Sequence, residues 1–221
     1  MTNNQKPTLR DVFDYMLKVY KQSKLMVKDT VEALRDKTRC HFVHQKTWDY
    51  ATRPNEHFLD GDSFGVSEAW VTYIPEGEIK LAVLMYFQFF SSKHFVDPAL
   101  TYGSLNPGKM NGFDDIDRWA PYNTIYETER GEGKCVVRHD GPISIVTTSL
   151  EKHFHEAHLV KVPLESIRNI DDLHRIVVNP LTALIRGEVK EARKLLEEVE
   201  TMQWPVIIAH EEDGNEDVEQ I

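Results

Sequence analysis

Apolar residues recur at three- and four-residue spacing through the first part of the chain. Leu9, Val12, Phe13, Met16, Leu17 and Tyr20 share one helical stripe, which Val27, Val31 and Leu34 continue. Thr8 is a suitable N-cap, and Asp11 holds the acid position of a capping box three residues on. The spacing predicts a helix over residues 8–37, with Ser23 the point where it would divide into two. An apolar stripe of that length must be covered, and a sheet face is the natural cover.

The period then changes. Phe42 to Tyr50 is mixed and aromatic, and Gly65 to Ile74 is rich in β-branched and aromatic residues. The turn-forming Pro75-Glu76-Gly77-Glu78 separates this run from Ile79 to Phe90. The near-continuous apolarity of Leu81 to Phe90 predicts a strand covered on both faces. Residues 97–121 break the periodicity with prolines and glycines and read as a long loop, the kind of segment that carries binding residues. Tyr122 to Thr128 reads as a strand. Lys134 to Arg138 and Ile143 to Thr148 flank His139-Asp140-Gly141-Pro142 as a second hairpin. His158 to Val162 is the last strand predicted before Pro163, and Trp204 to Ala209 reads as an edge strand or docking segment. Ile170 to Val178 and Glu188 to Met202 read as helices, with Asn179-Pro180 an interruption at which Pro180 restarts the chain as helix.

These elements predict an α+β fold: a curved antiparallel sheet of about five to seven strands, packed by a long N-terminal helix and by C-terminal helices. They form one domain over residues 1–210, followed by an acidic, disordered tail at 211–221. The chain's 221 residues are enough for a sizeable core. Its net charge is −10, of which residues 211–221 contribute six acids and no Lys or Arg. Residues 18–46 run the other way, with eight Lys or Arg against three acids. That stretch is a solvated helix face or a docking surface for an anion or acidic partner, the tail included. Two cysteines make no disulfide framework. No signal peptide and no apolar run of membrane-spanning length is visible, so a cytoplasmic location without membrane contact is expected.

Candidate chemistry lies in two histidine clusters. His153, His155 and His158 sit among acids, and imidazole with carboxylate suits a divalent transition metal such as zinc, iron or nickel. On a strand His153 and His155 would point the same way. Cys40 and His44 would be neighbours if the first helix ran on, as a metal pair or a thiol with its base. Phosphate-loop, dinucleotide, nucleophile-elbow and zincin motifs are absent, as is a basic groove for nucleic acid.

The leading expectation is a regulatory module that binds a small molecule or a protein partner, with Tyr102, Phe113, Trp119 and Tyr122 contacting the ligand. The alternatives are a metal-dependent enzyme built on the 153–158 cluster and a self-associating homo-oligomer.

Overall fold

A computed structural model describes residues 8–44, 49–50, 68–75, 81–89, 98–106, 135–148 and 155–203. The first helix, α1 (Leu9–Thr38), runs unbroken through Ser23. Ser23 is 2% exposed, and its hydroxyl donates to the Val19 carbonyl at 3.0 Å, so its polar atom is satisfied within the helix. Arg39 ends the helix in the left-handed region at φ 57°, its N–H returning to the Arg35 carbonyl at 2.9 Å. Arg186 also donates to the Lys37 carbonyl at 2.8 Å, placing a guanidinium where the helix dipole is negative.

The strands are β1 (Phe42–His44), β2 (Asp49–Tyr50), β3 (Glu68–Pro75), β4 (Ala82–Gln88), β5 (Ala99–Asn106), β6 (Cys135–Asp140), β7 (Ile143–Thr148) and β8 (Glu156–Pro163). They form one eight-stranded sheet in the order β1-β3-β4-β5-β8-β7-β6, with β2 also on β3. Every pairing is antiparallel. The fold is α+β, as the alternation of patterns predicts. The loop expected over 97–121 is corrected in its first part. Residues Ala99–Asn106 are a strand between β4 and β8, buried at all positions but the last. Thr101, Gly103 and Ser104 hid that strand, because small and polar residues here occupy a covered sheet. Gly103 has a steric reason: a Cβ there would overlap the His158 carbonyl oxygen on β8.

Beyond β8 a 3₁₀ turn (Leu164–Ser166) leads to α2 (Ile170–Leu173), a π turn (His174–Val178), α3 (Asn179–Ile185) and α4 (Val189–Leu195). Asn169 caps α2 by accepting from the Asp172 N–H at 2.9 Å. The Asp172 carboxyl lies below its ordinary value because Arg175 hydrogen-bonds to it and the Arg168 N–H adds a second bond. Pro180 stands at the first positions of α3, as expected, but the helical run before it is not interrupted. The chain reaches it through the π turn, with the Asn179 N–H reaching the His174 carbonyl. Pro180 has no N–H to offer Ile176, four residues back. The buried Tyr102 hydroxyl donates to the Ile176 carbonyl instead, so strand β5 supplies a bond that the proline removes. Gly187, at φ 74°, closes α3 with Gly187 N–H to Leu184 and Glu188 N–H to Ala183, a Schellman ending.

Strand alternation puts Val83, Met85, Phe87, Leu100, Tyr102 and Val160 on the face that meets the helices. Leu173, Ile176, Val177 and Leu181 fill the space above them, each at most 3% exposed. The opposite face is buried too. Ala82, Leu84, Leu105, Val146, Ala157 and Leu159 are no more than 4% exposed, and none of them belongs to the helix-side cluster. Burial on both faces is what the unbroken apolarity of β4 requires. No helix among the described residues is long and apolar enough to cross a membrane.

Candidate functional site

At one end of the sheet β4 finishes, β5 begins and β8 gives way to the 3₁₀ turn. The Leu164 N–H donates to the Pro98 carbonyl at 2.8 Å, and the Ser166 hydroxyl to the Pro163 carbonyl at 2.6 Å. The first bond holds the β5 start against the β8 end, and the second tightens the 3₁₀ turn. The middle of α1 faces this end without closing on it. A cavity of about 420 Å³ remains, lined by Tyr15, Val19, Tyr20 and Met26 of α1 and by Phe89 and Ile167 opposite.

The reason lies in side-chain placement on α1. Val27, Val31 and Leu34 are at most 6% exposed and seal the C-terminal half of the helix. Tyr15, Val19, Gln22 and Met26 form a second stripe at 4, 3, 4 spacing beside the buried one, and it lines the cavity. Tyr20 meets Phe89 edge to face, with ring centroids 4.9 Å apart and planes at 72°. Phe89 in turn lies 6.1 Å from Phe87. The floor is thus a rigid aromatic step continuous with the core. Gln22 and Ser23 add polar atoms, and Glu165 is the one charged side chain among the described lining residues.

Of the sequence-derived ligand contacts, Tyr102 falls elsewhere. Tyr102 is 0% exposed, and burial drives its hydroxyl far above the usual phenol range. It joins strand to helix inside the core. Phe113, Trp119, Tyr122 and the 122–128 strand lie outside the described residues, as do His153, the 204–209 segment and the acidic tail.

Of the metal candidates, His155 is exposed just before β8, its N–H bonded to the Asn106 carbonyl at 2.8 Å. His158 lies within β8, with its Nε2 3.4 Å from Glu156, whose other oxygen is 3.8 Å from Arg138. Residue alternation sends 155 and 158 to opposite faces of β8. No group of three or more His, Cys, Asp or Glu that could hold a metal converges among the described residues. The Cys40–His44 pairing is also corrected. The helix ends at Thr38, and His44 stands in β1, so the two do not share a helical face.

One further pair has catalytic residue types. Ser144 Oγ lies 3.2 Å from His139 Nδ1 across the β6–β7 hairpin, in direct register. Ser144 is only 1% exposed, so a substrate cannot reach it, and the contact serves the hairpin. The groove was legible in part. Tyr20 was placed on the buried stripe, while the flanking stripe of Tyr15, Val19 and Met26 makes the apolar arc wider than one buried seam needs. Leu17, by contrast, follows the spacing of that seam and is 54% exposed. No family model, curated protein or solved structure matches this chain.

Proposed function

We propose that this protein is a binding module whose groove between α1 and the sheet end takes an elongated, mostly apolar small molecule bearing a hydrogen-bond-donating or cationic head. The observation that carries the reading is the open, aromatic-floored cavity of about 420 Å³, within the size range of small-molecule sites. Tyr15, Val19, Met26 and Phe89 offer surface to an apolar body. Glu165 and Gln22 offer acceptors to a head group, and Glu165 disfavours an anionic one. Binding would remove from water the apolar surface of half-buried groove residues that the fold leaves partly wet. At roughly 25 cal/mol per Å² that burial is the main driving force.

The test is a titration with 1-N-phenylnaphthylamine, an apolar fluorophore with a single N–H donor. Saturable, one-to-one fluorescence enhancement is expected, with dodecylamine displacing the dye about tenfold more effectively than dodecanoate. A groove-filling Val19→Trp variant should lose the response while keeping its circular dichroism. Equal binding by the filled variant, or no saturable binding by the natural chain, would contradict the reading.

A further inference from the structure

The outer side of α1 carries a second pattern. Leu17, Lys21, Lys24 and Lys28 follow each other at 4, 3, 4 spacing and form one stripe along the helix, with Lys18 and Leu25 beside it. All six are exposed, and Leu17 and Leu25 are 54% and 57% so. Lys18 and Lys21, Lys21 and Lys24, and Lys24 and Lys28 are like-charge neighbours at helical spacing, an arrangement that works against the helix. Lys28 pairs with Glu32 at 3.8 Å, and Lys24 also has an interaction of its own. The result is a cationic ridge with two leucines on the back of the helix whose front lines the groove.

We infer that residues 211–221 of this same chain dock on that ridge. The segment, Glu211-Glu212-Asp213-Gly214-Asn215-Glu216-Asp217-Val218-Glu219-Gln220-Ile221, supplies six acids against the lysines, and Val218 and Ile221 against Leu17 and Leu25. A second copy of the helix would set lysines against lysines, so a self-interface is disfavoured there. The chain leaves the described residues at a fixed point. Its last described residue, Gln203, is fixed by its amide donating to the Gly141 carbonyl at 3.2 Å. With 211–221 seated, the seven residues 204–210 remain as the tether and span up to about 25 Å when extended. Tethering makes the encounter intramolecular, so weak individual charge pairs suffice. A segment seated there braces the helix that walls the groove.

Zero-length carbodiimide cross-linking of the full chain, followed by peptide mapping, tests this. An equal mixture of isotopically light and heavy protein separates bonds within one chain from bonds between chains. Intrachain links from the 211–221 carboxylates to Lys18, Lys21 or Lys24 are expected. Their yield should fall at least roughly threefold in about 0.5 M salt, and they should vanish in a Lys18→Gln, Lys21→Gln, Lys24→Gln variant of unchanged helicity. The Lys28–Glu32 link reports that the chemistry worked in every sample. Links from the segment to other lysines, links only between chains, or no links while Lys28–Glu32 forms would each overturn the inference.

Discussion

The same sheet face is covered twice, and the two covers differ. Over Met85, Tyr102 and Val160 lie the π turn and α3, with Ile176, Val177, Val178 and Leu181 no more than 1% exposed. Over Phe89 lies the middle of α1, where Val19, Tyr20 and Met26 are only half-buried around a cavity of about 420 Å³. Both covers are apolar helices on an aromatic and aliphatic sheet. The filled one interlocks with β5 through the Tyr102 hydroxyl, while the open one stands off behind Tyr20 and Phe89. The difference separates residues that hold the fold from residues that the fold makes available.

Truncation should expose that division most sharply. Leu181→Ala in the filled cover should cost about 2–5 kcal/mol in urea unfolding, because a sealed site cannot collapse around the lost side chain. Val19→Ala in the open cover should cost less than about 1 kcal/mol, since Val19 borders a cavity that is already present. Equal costs would break the comparison. A smaller effect is expected of Tyr102→Phe, which keeps the ring and removes the hydroxyl's bond to Ile176. A loss of about 1–3 kcal/mol should appear in the same unfolding experiment.

Alkaline pH sharpens the point. Burial raises the folded-state pKa of Tyr102, so above about pH 10 the unfolded chain releases its proton more readily than the folded one. The stabilisation from this group is fully present below that pH and is lost as pH rises beyond it. The Tyr102→Phe variant should therefore show a shallower alkaline decline than the natural chain, measured by urea midpoints. The smallest effect concerns Thr30 of α1, 0% exposed with a hydroxyl that has no hydrogen-bond partner among the described residues. Thr30→Val keeps the shape and removes the unsatisfied group, and should raise stability by up to about 1 kcal/mol in thermal unfolding.

The scaffold was legible because its signals are periodic. The α1 stripe, the buried β4 run and the β6–β7 hairpin each announce themselves over a short window. Strand β5 was not, because the smallness of Gly103 is required by an approach to the His158 carbonyl that only the folded sheet reveals. Passage through Pro180 was hidden for a similar reason: the compensating donor, Tyr102, stands 74 positions before the carbonyl it serves. The groove was half legible. Its helical wall follows a spacing rule, but Phe89 and Pro98 reach it from two strand ends and Ile167 from beyond the 3₁₀ turn. A loop over 97–121 would make Tyr102 a contact residue. Once that stretch is a strand, its hydroxyl has a structural task.

Methyl-labelled methionine provides the most direct measurement, because one methionine reports from each cover. Met26 lines the groove, and Met85 is 1% exposed beneath the filled region. In carbon–proton correlation spectra, titration with dodecylamine should move the Met26 methyl resonance saturably and leave Met85 in place. A stationary Met26 at ligand concentrations that saturate dye displacement, or a Met85 that shifts in its stead, would contradict the assignment of the groove as the binding site.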